Sequence, residues 1–124
     1  SDPRNIAPVG WHVASDSEWM VMINYLGGYN FTGGKLKEAG TVHWLSPNEG
    51  ATNSSGFTAL PGGWRDDGGG FSTNPGSQGY WWTSTPHCCN GGAIAYYLVY
   101  SDGNIQPGGN VYLQSGLSVR CVKD

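Results

Sequence analysis

A chain of 124 residues with a formal charge of −3 is long enough for one modest core and too short for two. Its six Lys and Arg residues are scattered, which leaves no basic field to hold a phosphate backbone and argues against nucleic acid as a partner. Charged residues are only 12% of the chain, so Ser, Thr, Asn and Gly must make the surface, a pattern common in exported proteins. No window approaches the roughly eighteen consecutive apolar residues of a membrane span.

With 21 glycines the chain could be read as disordered, but six Trp and seven Tyr supply large buried areas, so the glycines read as turn punctuation. The clearest helix begins after Ser15. Ser15-Asp16-Ser17-Glu18 has capping-box spacing, Trp19, Met22, Ile23 and Leu26 fall on one face, and Gly27-Gly28 ends the run. One or two helical turns are expected over 35–39, between Gly33-Gly34 and Gly40. Strands follow: an alternating run at 57–60 stopped by Pro61-Gly62-Gly63, another over 80–84, and a longer one over 93–100. In the last, Ile94, Tyr96, Leu98 and Tyr100 share one face, with Ala95, Tyr97 and Val99 on the other. A hairpin turn at Ser101-Asp102-Gly103-Asn104 and strands over 111–113 and 117–122 complete a sheet of four to six strands. Helices early and strands late give an α+β domain.

Three cysteines are an odd count, so in an exported chain at least one thiol is free or paired outside the chain. Cys121 with Cys88 or Cys89 is the internal pairing open to it, beside the alternative that Cys121 is a small buried thiol. Nothing at Ser1 resembles a signal peptide, and the lack of an initiating Met fits a processed or trimmed chain.

Several motifs occur in order along the chain: Gly10-Trp11-His12-Val13, Ser15-Asp16-Ser17-Glu18-Trp19, Tyr25-Leu26-Gly27-Gly28 and Gly34-Lys35-Leu36-Lys37-Glu38, then Gly56-Phe57-Thr58-Ala59-Leu60-Pro61-Gly62-Gly63, Tyr80-Trp81-Trp82-Thr83-Ser84-Thr85 and Ser118-Val119-Arg120-Cys121-Val122. Together, over about 7–124, they resemble the Fibrobacter succinogenes major paralogous domain. That resemblance implies an exported or surface protein of Bacteroidetes or related bacteria. It also implies a single domain similar to the C-type lectin fold and the formylglycine-generating-enzyme group: two N-terminal helices, a mixed, mostly antiparallel sheet, and long Gly-rich loops that carry ligand contacts. Many members have Cys where this chain has Ala7, which the resemblance implies would pair with the Cys of the final strand. Gln106-Pro107-Gly108 approaches a lectin calcium motif but lacks its carboxylate.

The chemistry favours binding over catalysis. His12, His43 and His87 are far apart and sit in no triad or zinc motif, and His12 is expected to be structural. His87-Cys88-Cys89 holds ligand types, but neighbouring side chains on an extended segment diverge. The paired redox cysteines of the formylglycine-generating relatives have no counterpart. Asp66 and Asp67, with Asn74, are the oxygen donors that would take calcium, and a solvated turn is the simpler reading of them; no cofactor is required. Trp11, Trp19, Trp44, Trp81 and Trp82 read mostly as framework.

The expectation is therefore an exported, non-catalytic module that binds glycan or a surface protein through the 86–115 surface, with contacts from His87, Asn90, Tyr96, Tyr97, Tyr100, Asn104 and Tyr112. One rival is a structural subunit that self-assembles into an extracellular fibre or surface layer. Another is a ligand-binding protein whose 86–115 stretch is varied by a diversity-generating retroelement. An enzyme related to the formylglycine-generating group ranks behind these.

Overall fold

A computed structural model describes residues 6–71, 74–88 and 91–124. The first helix, α1 (Asp16–Tyr25), begins at the expected cap. Ser15 Oγ accepts from the Glu18 amide at 3.3 Å, and a Glu18 carboxylate oxygen accepts from the Ser15 amide at 2.8 Å. Trp19 and Ile23 are buried, and Met22 and Leu26 pack against the same core.

The second helix differs from expectation. It is α2 (Tyr29–Leu36), so Gly33 and Gly34 lie inside it rather than before it. Helix propensity argues against two glycines there, but close approach requires them. A Cβ on Gly33 would collide with the Asn104 carbonyl oxygen and one on Gly34 with that of Gly50, while the Gly34 amide donates to Gly103 O at 2.7 Å. The helix axis thus rests directly on two loops.

Between Leu36 and Gln78 the described chain forms bridges and turns instead of extended strands. The strand expected at 57–60 is a single parallel bridge of Ala59 to Lys37. Thr58 has a left-handed backbone, φ 54°, held there by the Asn53 side chain, which accepts from the Thr58 amide at 2.8 Å and donates to its hydroxyl at 2.9 Å. Lys37 organises the region from inside. Its buried ammonium donates to Glu49 O at 2.8 Å, Val99 O at 3.0 Å and Asp102 O at 2.8 Å, and lies 5.6 Å from the Trp44 ring centroid. Burial lowers the Lys37 pKa to about 8.

The strands form two antiparallel sheets. β1 (Trp11–Val13) pairs with β5 (Cys121–Lys123); β2 (Gln78–Pro86), β3 (Gly92–Val99) and β4 (Gln106–Tyr112) lie side by side in that order. The Ser84 amide donates to Ala14 O and the Trp82 amide to Ser118 O, each at 3.0 Å, which joins the two sheets along the far edge of β2. β4 starts five residues before the strand expected at 111–113; Pro107 is tolerated because β4 is an edge. Of the strand expected over 117–122, regular pairing is confined to β5, with Ser118 bridging Trp81.

Trp19, Ile23, Leu36, Trp44, Trp81, Tyr96, Leu98 and Ile105 share the core, where Trp19 and Tyr96 stack at 5.3 Å. His12 ties the chain ends to α1: Nδ1 is 2.6 Å from Asp124 Oδ1 and Nε2 is 2.8 Å from Glu18 Oε1. Those carboxylates, Asp124 foremost, raise the His12 pKa. The Ser15 amide and hydroxyl, with His12, lower that of Glu18 to about 2. Among the described residues no helix is long and apolar enough to cross a membrane.

Candidate functional site

Strand alternation gives the β2–β3–β4 sheet two unlike faces. Gly79, Trp81 and Thr83 point to the core with Tyr96 and Leu98, whereas Tyr80 and its cross-strand partner Tyr97 stand on the other face, ring centroids 5.0 Å apart and nearly parallel at 16°. A bridge of Gly63 to Gly79 brings the loop after Pro61 alongside β2. It delivers Trp64 to Tyr80, 6.0 Å away and tilted by 49°. Trp64 is 37% exposed and forms a ridge between two concavities.

The first, about 360 Å³, is lined by Trp64, Tyr80 and Tyr112, by Val111 and Leu117, by the carboxylates of Asp66 and Asp67, and by Asn110 and Ser115. The segment 113–118 carries the chain from β4 to the far side of β2 and makes one wall, fastened where Arg65 and Gly116 exchange backbone hydrogen bonds at 2.8 Å. Burial, with the Tyr97 hydroxyl near, raises the Tyr80 pKa, so its phenol remains a neutral donor. The second concavity, about 530 Å³, lies across Trp64 between Asp66, Phe71, Asn74, Gln78 and Tyr100. A third groove of about 540 Å³ runs beneath α1 past Met22, Tyr25, Phe57 and Cys121. Arg120, on its wall, is already engaged, stacked 3.9 Å above the Phe57 ring and donating to Phe57 O at 2.8 Å.

The family model of the Fibrobacter succinogenes major domain matches residues 1–123. The chain belongs to that family. No curated protein and no solved structure matches it.

In this Fibrobacter succinogenes major domain the expected contact residues do not converge on one point. Tyr96 is corrected outright: it is 2% exposed, and its hydroxyl donates to Asp16 Oδ1 at 2.8 Å, a core position that β3 alternation imposes. Tyr97 braces Tyr80, Tyr112 lines the first concavity and Tyr100 the second. Asn104 sits elsewhere, beside Tyr29 and Asn30 of α2. His87 follows the end of β2, where its amide donates to Gly92 O at 2.9 Å. Asn90 lies outside the described residues.

The cation donors also separate. Asp67 borders the first concavity and Asn74 the second, with Asp66 common to both, and Asp66 Oδ1 accepts from the Gly70 amide at 2.6 Å, closing its own turn. Among the described residues no group of three or more His, Cys, Asp or Glu side chains gathers for a metal. Cys121 is a free thiol and is not bonded to Cys88, while the expected alternative with Cys89 falls outside the described residues. The Cys121 side chain borders the groove under α1, whereas Cys88 follows β2.

Trp64 and Tyr80 are the site residues that sequence reasoning did not select. The signal was present: Trp64 sits between Pro61-Gly62-Gly63 and Asp66-Asp67-Gly68-Gly69-Gly70, a large ring in a Gly-rich loop with no periodic partner to bury it.

Proposed function

We propose that this domain is an extracellular, non-catalytic recognition module that binds glycan or a surface protein through the outer face of its three-stranded sheet. The observation that carries this reading is the aromatic run of Trp64, Tyr80 and Tyr97, with clefts on both sides of Trp64 and carboxylates at their rims. Rings presented on a rigid sheet supply contact area at little entropic cost, and the adjacent acceptors orient a polar ligand. The site also draws on the 86–115 stretch, through Tyr97, Tyr100, Asn110, Val111 and Tyr112.

We read the fold as C-type-lectin-like. Two helices, an antiparallel sheet and a long loop region between Leu36 and Gln78 that delivers Trp64 to the sheet support that reading.

The test is a glycan and peptide array probed with the wild-type domain and with Trp64→Ala, Tyr97→Ala and Tyr100→Ala. Signal that is lost in Trp64→Ala while the circular dichroism spectrum is unchanged is the expected result. An array silent in every condition, with and without calcium, removes the reading.

A further inference from the structure

We propose that the cleft of Trp64, Tyr80 and Tyr112 is an aromatic cage for a trimethylammonium group, charge-balanced by Asp66 and Asp67. The inference rests on the recognition reading above and names the ligand chemistry of that same face.

Three aromatic side chains border one cavity of about 360 Å³, which accommodates a trimethylammonium head and part of its substituent. Trp64 and Tyr80, inclined at 49°, make an open corner, and Tyr112, 53% exposed at the end of β4, borders the same space. The electron-rich faces of such rings attract a cation, and the attraction grows where water is displaced. The rest of the wall is made by the apolar Val111 and Leu117, the neutral polar Asn110 and Ser115, and the acidic Asp66 and Asp67, of which Asp66 also accepts from the Gly70 amide through Oδ1 at 2.6 Å.

Among the described residues neither Lys nor Arg lines the cleft. Arg65, next to Trp64 and Asp66 in the chain, is turned to the Phe71 ring, 5.9 Å from its centroid. An anionic ligand therefore has no counter-charge here, and a cation has two. The apolar walls select among cations. A primary ammonium gives up three strong hydrogen bonds to water on entering such a space, whereas a trimethylammonium group donates none and presents methyl groups to the rings. A neutral sugar would gain ring stacking but leave the carboxylate pair without a matching charge.

The probes are choline and Nε-trimethyllysine, which share the cation and differ in what it is attached to. The control is dimethylbutanol, choline's uncharged carbon isostere. Binding is followed by tryptophan fluorescence and calorimetry on the whole domain. Both cations are expected to bind, with the isostere at least about tenfold weaker. Asp67→Asn and added salt should each weaken choline several-fold, and Trp64→Ala should abolish binding. Tyr112→Leu, which keeps an apolar side chain at an exposed position, should lower affinity without altering the fold.

Equal affinity for choline and the isostere overturns the proposal, as does choline binding that survives Trp64→Ala in a folded protein. Silence toward both cations alongside a Trp64-dependent array signal also overturns it and leaves the recognition reading standing. Silence in both experiments removes the two together.

Discussion

The two faces of the β2–β3–β4 sheet are built on opposite terms. Toward the helices, polar groups sit in closed hydrogen-bonded positions: Lys37 Nζ on three carbonyls, Thr32 Oγ1 on Gly28 O and Ile23 O, Trp44 Nε1 on Ala59 O. Trp19 Nε1 and Asn48 Oδ1 are the buried exceptions on that side among the described residues. Toward the cleft, rings lean on one another while Trp64, Tyr112 and Phe71 remain open to solvent. Stability is therefore concentrated on one face and contact chemistry on the other, and substitutions should sort accordingly.

The largest effect is expected where backbone meets backbone. Gly34→Ala places a methyl group against the Gly50 carbonyl, and Gly33→Ala against that of Asn104; neither obstacle is a side chain that can rotate away. Each should cost about 4 kcal/mol or more, enough to prevent folding of a domain this size. A cooperative melt near the wild-type temperature for either variant would show that α2 can shift, and the close crossing would lose its structural importance.

Lys37→Met comes next. It keeps the length of the buried stem but leaves the Glu49, Val99 and Asp102 carbonyls without their donor, at a cost of about 3 kcal/mol in urea unfolding. Removing one charged donor from a shared set costs more than the loss of an ordinary surface residue, so a change below about 0.5 kcal/mol would mean that water replaces the ammonium.

The His12 cluster should give a smaller, pH-dependent effect. The folded Glu18 pKa is lowered to about 2, so its contribution is complete above the unfolded value of 4.5 and is lost as pH falls through about 2. The folded His12 pKa is raised, so its contribution is complete below 6.5 and is lost as pH rises through the folded value. The cluster therefore stabilises most between pH 4.5 and 6.5. Both side chains are substantially exposed, so Glu18→Gln should cost only about 1 kcal/mol there. Melting curves across pH should show the variant losing the acid limb, and an identical limb in both proteins would count against the assignment.

Parts of this division were legible in the sequence and parts were not, for physical reasons. The α1 cap could be read because Ser15 and Glu18 act within four residues, and the two faces of β3 because alternation is local. The position of α2 could not: Gly33-Gly34 is a helix breaker by propensity, and only Gly50 and Asn104, brought in from distant segments, turn it into a requirement. The cleft was half legible for the same reason. Tyr97, Tyr100 and Tyr112 belong to the stretch selected for its aromatic content, while Trp64 arrives through the pairing of Gly63 with Gly79 and of Arg65 with Gly116, long-range bridges that leave no periodic trace.

The smallest effect on stability is expected at Tyr112 of the cleft, and the cleft separates the two faces most cleanly. Tyr112 is 53% exposed, so Tyr112→Ala should cost about 0.5 kcal/mol. Trp64, 37% exposed, packs part of its ring on the domain, so Trp64→Ala should cost about 2 kcal/mol, still less than Lys37→Met, while ligand response falls steeply in both. Tyr80 and Tyr97 occupy the intermediate position: stacked at 5.0 Å, they should show a coupling of about 1 kcal/mol in a double-mutant cycle. If Trp64→Ala instead destabilised the domain as much as Lys37→Met, the ring would be serving the fold. The cleft would then be a seam of the framework, and an exposed aromatic in a Gly-rich loop would have lost its value as a sign of binding.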